Sequence, residues 1–282
     1  MSSKFDQVYT HCPVCNTDDI RSYHQDSNGI KISKCPSCSV QFMNPVYSDN
    51  YINDFYNNYT EDSYSQKVLD EQNFTANDYL QSVEKYLGRT GSMLDFGSGN
   101  GQHSQVAMRR GWEVVGYDID CKVAEKISNK FNFTYLCGAF EDVEWKRKKF
   151  DLVYANQVVE HLKDPISMIK LIHARLNENG IFLVAVPNIN SLSSRIKIML
   201  EKAGVRKKNK GKYYDTGHHV FYYDKKSIVK MLKIAGFDVI SLHNCKKPRL
   251  HQNKLAKFFR RNIVEKIISN SVLYVLAKKT SI

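Results

Sequence analysis

Residues 93–101 constrain the fold of this chain more than any other segment. They read Met-Leu-Asp-Phe-Gly-Ser-Gly-Asn-Gly, with glycine at every second position of the second half. Alternating glycines let a loop turn sharply off a buried strand and bring its backbone against a ligand. Asp118 follows Asp95 by 23 residues and ends a second apolar run, where a carboxylate can accept hydrogen bonds from both hydroxyls of a ribose. The spacing therefore predicts a nucleoside-binding corner between two strands.

The order of these residues narrows the class of nucleoside ligand. A dinucleotide-binding fingerprint requires a third glycine where this chain has Gln102, and a P-loop requires a phosphate-binding lysine that is missing here. The pattern Asp-x-Gly-x-Gly-x-Gly closely resembles the first motif of the class I S-adenosylmethionine-dependent methyltransferases. This resemblance implies S-adenosylmethionine as the cofactor. The alternative is a glycine-rich turn that binds no ligand, and Asp118 argues against it.

The resemblance covers most of the chain, from roughly residue 80 to the C-terminus. Residues 150–165 resemble the fourth-strand segment of these enzymes, residues 180–188 the fifth strand, and residues 235–239 the start of the sixth. Residues 138–142 lie where the family places the loop that contacts adenine. The cofactor contacts that the resemblance implies are Asp95, Gly97, Ser98, Gly99, Gly101, Asp118, Ile119, Ala139, Phe140, Asn156 and Gln157.

Hydrophobic periodicity predicts the same fold class without the resemblance. Short apolar runs rich in β-branched residues at 114–117, 152–155 and 181–186 alternate with helical spacing over 166–176. This alternation is typical of a doubly wound α/β fold, and a further apolar run at 272–277 supplies a closing strand. Together with the resemblance, it predicts a mostly parallel, seven-stranded, Rossmann-like sheet of the methyltransferase type. We expect the ligand beyond the carboxyl ends of the strands.

The N-terminus carries an independent signal in two Cys-Pro-x-Cys pairs. Nineteen residues separate the pairs, and each pair turns tightly enough to direct two thiolates at one metal ion. Four thiolates complete the tetrahedral coordination of zinc and leave no open position, so the predicted site is structural. Two disulfides are the alternative. The predicted zinc ligands are Cys12, Cys15, Cys35 and Cys38.

Cysteine usage also bears on the cellular compartment. The sequence shows no signal peptide and no apolar run long enough to span a membrane, so we expect a cytoplasmic protein that works in solution or at the inner face of the membrane. Thiols in a reducing compartment bind metal more readily than they form disulfides. The remaining cysteines, Cys121, Cys137 and Cys245, are interpreted as ordinary buried or half-buried thiols.

Three segments are expected in the chain. Residues 1–45 form the zinc ribbon, residues 46–90 a helical cap or linker rich in tyrosine, and residues 91–282 the cofactor-binding domain with an insertion at about 190–222. Helical apolar spacing over 74–87 predicts a helix across the mouth of the cofactor pocket. Its tyrosines either close over the adenosyl group or pack between helices.

Charge is concentrated in the C-terminal third. Residues 1–194 hold 19 Lys and Arg against 24 Asp and Glu, whereas residues 195–282 hold 22 against 5. The basic residues cluster at 206–212 and 254–268, and the second cluster has apolar residues at helical spacing. It is either a surface helix packed on the sheet, a peripheral membrane contact, or a surface that faces an anionic substrate. Nucleic acid is less favoured, because few aromatic residues are placed to stack on bases.

Two histidines are the candidate catalytic groups. Methyl transfer to a hydroxyl or an enolisable carbon requires loss of a proton from the acceptor, and imidazole has a pKa near neutral pH. In the resembling enzymes a histidine of the segment around His219 reaches toward the methyl group from the acceptor side; a structural role for His219 is the alternative. His161 matches the Glu-His pair of the family after the fourth strand and is expected to order the pocket. The sequence assigns no role to His103.

A zinc ribbon ahead of this core, followed by residues 40–45, resembles a bacterial group of methyltransferases associated with sugars, surface polysaccharides and natural products. The resemblance implies C- or O-methylation of a sugar nucleotide or a glycan-linked intermediate, and hence an anionic small-molecule or lipid-linked glycan acceptor. The basic segments 195–214 and 246–268 depart from the usual form of this group. Two alternatives are a zinc-bearing ribosomal RNA methyltransferase and a noncatalytic regulatory protein that binds the cofactor.

Overall fold

The computed structural model describes residues 4–58, 64–145, 148–205, 211–244 and 271–280. The N-terminal part contains β1 (Phe5–Gln7), β2 (Arg21–Gln25), β3 (Lys31–Lys34), β4 (Gln41–Met43), β5 (Val46–Tyr47), α1 (Asp49–Asn58) and α2 (Gln66–Leu87). The part that follows contains β6 (Ser92–Phe96), α3 (Gln102–Arg109), β7 (Glu113–Asp118), α4 (Cys121–Phe131), β8 (Thr134–Cys137), β9 (Phe150–Asn156), α5 (Pro165–Ala174), β10 (Leu176–Pro187), α6 (Leu192–Lys202), β11 (Phe221–Tyr222), α7 (Lys225–Ile234), β12 (Phe237–Asn244) and β13 (Val272–Lys279). Two 3₁₀ turns lie at Val159–His161 and Lys212–Tyr214.

Seven strands form one sheet in the order β12-β13-β10-β9-β6-β7-β8. The pairs from β10 to β8 are parallel, and β13 runs antiparallel between β10 and β12. The predicted doubly wound, mostly parallel, seven-stranded sheet is therefore confirmed. One boundary was wrong, because Leu176 had been placed in the helix that precedes β10 and instead begins that strand.

Both faces of the sheet are buried, as a parallel sheet requires. Side chains alternate between the faces: Leu94 and Val153 join the core shared with α5 and α7, whereas Met93 and Leu152 join the core beneath α2. This alternation follows from the two-residue repeat of a strand. Strands β6 to β10 are parallel, so their carboxyl ends meet at one edge of the sheet, where the loops that follow them can converge.

The N-terminal ribbon is not separate from the sheet domain. Its strands β2, β3 and β4 form a second sheet, and the outer strand on the β4 side is β11, which comes from far along the chain. Phe221 of β11 pairs with Phe42, and Tyr222 pairs with Gln41. The ribbon core is continuous with the core of the larger domain, so the insertion after β10 and the ribbon support each other.

Helix α2 covers the sheet rather than the mouth of the pocket along most of its length. Tyr79 is fully buried and packs on Tyr154 and Tyr274, with ring centroids 6.3 and 4.3 Å apart. The expected helix over 74–87 is present, but its tyrosine at 79 serves packing. The part of α2 that reaches the cavity is Gln72, near the helix start.

Two cysteines had been misinterpreted. Cys121 and Cys137 are joined by a disulfide rather than being ordinary thiols. The β7–β8 register sets Asp118 opposite Cys137, and Cys121 begins α4 three residues later, so both sulfurs lie at the same edge of the sheet. Cys245 and the basic segments 206–210 and 254–268 lie outside the described residues. Within the described ranges, no helix combines the length and apolar composition needed to cross a bilayer.

Candidate functional site

A cavity of about 950 Å³ opens at the carboxyl ends of β6, β7 and β9. This volume lies within the range of small-molecule sites. One part of its lining, the glycine-loop wall, is formed by the glycine loop after β6 and the end of β7. Another part, the histidine wall, is formed by α1, the turn at Val159–His161 and residues 215–219. The predicted positions on its lining are Asp95, Gly97, Ser98, Gly99, Asp118, Ile119, Asn156, Gln157, His161 and His219.

The glycine loop is shaped for a close backbone approach. Gly97 and Gly99 have φ values of +73° and +48°, which residues with a Cβ rarely adopt. A Cβ on Gly97 would lie 2.4 Å from Cγ2 of Val158, whereas a Cβ on Gly99 would meet no atom within 4 Å. The loop therefore packs tightly at Gly97 and faces open space at Gly99, where a ligand can approach the backbone.

Two carboxylates stabilise this loop through hydrogen bonds. Asp95 is buried and accepts hydrogen bonds from the hydroxyls of Ser98 (3.1 Å) and Ser104 (2.6 Å). Burial raises the pKa of Asp95 to about 6, against the opposing effect of these two hydroxyls. Asp118 accepts the backbone N–H of Gly99 on one oxygen at 3.1 Å and that of Asp120 on the other at 3.2 Å. Burial also raises the pKa of Asp118. A carboxylate offers about four lone-pair sites, so Asp118 retains capacity for a further donor.

Three predicted cofactor positions lie off the cavity lining. Gly101 is buried, and a Cβ there would lie 2.7 Å from Cγ2 of Ile127, so packing against α4 accounts for this glycine. The ring of Phe140 packs in the core against Tyr117 and Trp145, with centroids 5.1 and 4.7 Å away. Ala139 is exposed beside it. Cofactor contacts from these three residues stay a prediction.

Three histidine side chains form the centre of the histidine wall. The rings of His161 and His218 stack with centroids 5.0 Å apart and planes 11° apart, and His219 meets both edge-on at 4.8 and 4.5 Å. Phe55 of α1 stacks on the outer face of His218 at 5.2 Å. The sequence had predicted His161 and His219 here but had not assigned a role to His218.

Burial keeps these rings neutral. Burial, with a smaller contribution from neighbouring imidazoles, lowers the pKa of His161 to about 3 and that of His219 to about 4. The pKa of His218 is also lowered by burial, against the opposing charge of Asp215. At neutral pH the wall therefore presents imidazole lone pairs and N–H groups rather than positive charge.

Several residues of the cavity were missed by the sequence reasoning. His103 lines the cavity, and its Nδ1 lies 3.0 Å from the hydroxyl of Tyr154. Its position two residues after Gly101, in the first turn of α3, could have indicated that His103 lies at the cavity. Ile52 and Phe55 of α1 and Gln72 of α2 also line the cavity, and no motif marks them.

The ribbon cysteines meet as predicted for a metal site. The sulfurs of Cys12 and Cys38 lie 3.6 Å apart, as do those of Cys15 and Cys35, and all four lie within 4.8 Å of one another. All four are free thiols, which excludes the disulfide alternative. Tetrahedral zinc with bonds of about 2.3 Å would separate its sulfurs by about 3.8 Å. The donor set and its spacing are compatible with one structural zinc ion.

Comparison with known proteins identifies the family. A family model described as a methyltransferase domain matches residues 69–242, which include the glycine loop, Asp118 and the turn that carries His161. The chain belongs to this methyltransferase family. The match covers most of the seven-stranded sheet, and the expected family membership is confirmed.

Individual relatives are more distant. The chain is 32% identical over 112 residues to a ubiquinone biosynthesis O-methyltransferase of Rhodopseudomonas palustris (strain HaA2), covering 38% of this chain and 44% of the relative. It is 33% identical over 114 residues to the protein of the same name from Pelagibacter ubique (strain HTCC1062), covering 39% and 47%. The match thus spans less than half the length of either relative.

Solved structures confirm the fold. A 1,6-didemethyltoxoflavin-N1-methyltransferase of Burkholderia thailandensis, with bound 1,6-didemethyltoxoflavin and S-adenosylhomocysteine, aligns with a TM-score of 0.56 and 15% identity, covering 93% of this chain and 100% of that one. A plantazolicin methyltransferase in complex with S-adenosylhomocysteine aligns with a TM-score of 0.50 and 14% identity, covering 82% and 90%.

Proposed function

We propose that the protein is an S-adenosylmethionine-dependent methyltransferase. The observation that carries this proposal is the open space at Gly99 beside the Asp118 carboxylate, within a cavity large enough for a nucleoside and an acceptor. When bound, S-adenosylmethionine supplies a methyl group on a sulfonium, which is an excellent leaving group. The chain then has to hold two reactants in line and exclude water, and such positioning can contribute about 7–11 kcal/mol.

Cofactor binding is assigned to the glycine-loop wall. Asp118 accepts hydrogen bonds from the ribose hydroxyls, and the backbone at Gly99 approaches the ligand closely. The exposed side chain of Ile119 offers an apolar surface next to Asp118. Asn156 and Gln157 end the neighbouring strand on the same lining, where Gln157 is held in a left-handed conformation by hydrogen bonds to Ala185.

Calorimetry with S-adenosylmethionine and S-adenosylhomocysteine tests this assignment. Asp118→Ala should weaken binding by about 1–3 kcal/mol, or roughly 5- to 150-fold, because two ribose hydroxyls lose their acceptor. Asp120→Ser is the matched control, since Asp120 caps α4 next to the site but is absent from the cavity lining, and serine can keep the cap. Equal affinity of wild type and Asp118→Ala would overturn the assignment.

The acceptor is assigned to the histidine wall. A hydroxyl or enolisable carbon must lose a proton, and a placed group that promotes this loss adds roughly 10²–10⁴-fold to the rate. We propose His219 as the central catalytic group, with His161 ordering the pocket next to it. His219→Ala should lower kcat by roughly 10²-fold or more and leave cofactor affinity unchanged.

An anionic acceptor, such as a sugar nucleotide or a lipid-linked glycan phosphate, is proposed from the charge distribution. The basic residues Lys207, Lys208, Arg260 and Arg261 lie outside the described residues, so the argument rests on the sequence. Their neutralisation should raise the KM for acceptor and reduce the salt sensitivity of the rate. Loss of structured-RNA binding with a steep salt slope would instead favour the ribosomal RNA alternative.

The ribbon is proposed to hold one structural zinc ion through its four cysteines. Structural zinc can contribute an apparent ~10–16 kcal/mol to folding, which a segment of about 45 residues cannot obtain from its own core. Elemental analysis of protein purified without chelator should find this ion. Protein with a folded ribbon and no metal would contradict the assignment.

A further inference from the structure

Three histidine side chains meet on the histidine wall of the cavity. One ring nitrogen from each of His161, His218 and His219 lies within 4.8 Å of the other two, and all three residues line the cavity. Among the residues that the structure describes, this cluster and the ribbon cysteines are the two groups with such convergence of ligand atoms. The ribbon explains the cysteines, and the histidines require an explanation of their own.

The hydrogen bonds of the rings leave nitrogen lone pairs for a ligand. Nδ1 of His161 lies 3.3 Å from the backbone oxygen of His218. The ring of His161 also hydrogen-bonds to the backbone of Gln157, and the ring of His219 to the backbone of Tyr214. A neutral imidazole that donates one N–H to a carbonyl keeps a lone pair on its other nitrogen. Oδ1 of Asp215 lies 4.0 Å from Nδ1 of His218. Metal-binding histidines commonly direct their second nitrogen toward a carbonyl or a carboxylate in this way.

We propose that His161, His218 and His219 bind a divalent transition-metal ion whose open coordination position faces the acceptor. Imidazole favours zinc, cobalt, nickel and related ions. Metal–nitrogen bonds of about 2.0–2.1 Å would place the three nitrogens about 3.4 Å apart, closer than the 4.8 Å limit within which they lie. Binding therefore requires the stacked rings of His161 and His218 to turn toward the ion. Three protein ligands and one open position are typical of catalytic rather than structural zinc.

This inference rests on the proposed function, because it places the acceptor at the open position. An acceptor hydroxyl would bind the ion through its oxygen and have its pKa lowered, and its proton would pass to water at the cavity mouth. Asp215 is exposed beside the cluster and contributes negative charge near the ion. His219 would then promote proton loss as a metal ligand. Direct proton transfer to an uncoordinated His219 is the competing arrangement.

Metal content separates the two arrangements. Full-length protein from zinc-supplemented culture should carry one zinc ion more per chain than His218→Ala or His219→Ala prepared identically. Removal of a direct ligand should lower affinity by more than the 10–100-fold that outer partners cost. His243→Ala is the control, because His243 is exposed on β12 and lies off the cavity; it should retain the wild-type zinc content.

Cobalt spectroscopy provides a second measurement, whose first part uses the wild-type protein alone. Wild-type protein whose ribbon holds zinc and whose histidine site has been emptied with a weak chelator should develop visible ligand-field bands when titrated with Co²⁺. The absence of thiolate-to-cobalt charge transfer would mark an imidazole site distinct from the ribbon. Absence of such bands, or their retention in both His218→Ala and His219→Ala with the wild-type Co²⁺ affinity, would overturn the metal site.

Cofactor binding keeps the two proposals distinguishable. Wild type that binds S-adenosylhomocysteine and transfers methyl groups, but holds no metal at the histidines, refutes the metal site and leaves the methyltransferase assignment standing with His219 as a direct base. Loss of the second ion in His219→Ala with unchanged S-adenosylhomocysteine affinity supports the metal site.

Discussion

Replacement of Gly97 by alanine tests whether the glycine loop is shaped by packing or only by ligand approach. Gly97 has a φ of +73°, and an added Cβ would lie 2.4 Å from Cγ2 and 3.0 Å from Cγ1 of Val158. Gly99 has a φ of +48° and no neighbour within 4 Å of the added Cβ. The two glycines thus share the left-handed conformation but differ in the space around them.

Because of these differences, we expect Gly97→Ala and Gly99→Ala to lower the free energy of unfolding by different amounts. The left-handed conformation costs an L-residue about 1–2 kcal/mol at either position. Overlap with a packed neighbour adds about 1–3 kcal/mol at Gly97 alone. We therefore expect Gly97→Ala to lower the free energy of unfolding by about 2–5 kcal/mol and Gly99→Ala by about 1–2 kcal/mol. Gly99→Ala should nevertheless weaken cofactor binding, because its methyl group enters the open space that the ligand occupies.

Urea denaturation and calorimetry with S-adenosylhomocysteine measure these effects. Val158→Ala removes both Cγ atoms and leaves the nearest contact at the Val158 Cβ, 3.3 Å away. The double variant should therefore recover part of the loss, with a coupling energy of about 0.5–3 kcal/mol. Equal destabilisation by the two glycine substitutions, or strict additivity of Gly97→Ala and Val158→Ala, would refute the packing argument.

Three further predictions concern the disulfide, one partly exposed ion pair and the ribbon. The Cys121–Cys137 bridge closes a loop of 16 residues, so Cys121→Ser should cost about 3 kcal/mol of stability in urea denaturation, and a reductant should abolish the difference from wild type. Burial would raise the pKa of Asp151, but hydrogen bonds led by that from Arg89 lower it to about 2. Because the Arg89 side chain is 59% exposed and solvent screens the pair, Asp151→Asn should lose about 1 kcal/mol of stability above pH 4. Thermal unfolding across pH should show this difference vanish as the pH falls through 2. Cys38→Ser should release zinc and lower kcat, because the ribbon supports the histidine wall, while S-adenosylhomocysteine affinity persists in calorimetry. An unchanged kcat would contradict this link between the ribbon and the histidine wall.

Local chemistry made the sheet and its glycine loop predictable. The apolar runs that became β7, β9 and β10 carry their own periodicity, and the loop after β6 needs glycine at Gly97 and Gly99 for reasons visible in the sequence. Phe140 shows the limit of this reasoning. Its position in the adenine-loop segment was recognised, but whether its ring faces the ligand or the core depends on Tyr117 and Trp145, which local sequence does not reveal.

Long-range pairing accounts for most of what was missed. Strand β11 has two residues, too few for a two-residue repeat to show, and it forms only because β4 offers an unpaired edge. The disulfide was missed for a related reason. Cys121 and Cys137 are separated by 16 residues, and only the β7–β8 register brings them together. His218 likewise gained significance only from its stacking on His161, 57 residues earlier.

The ribbon and the histidine wall are joined through one backbone position. Val220 donates its N–H to the carbonyl of Glu160 at 2.9 Å, and its own carbonyl accepts the N–H of Met43 at 2.8 Å. The first bond holds the His218–His219 pair against the turn that carries His161, and the second holds the same residue to the end of β4 in the ribbon. Because β4 follows the second cysteine pair directly, an ion bound by the four cysteines would also order the strand that positions the histidines. A structural ion can thus influence the geometry of the histidine wall without touching either reactant.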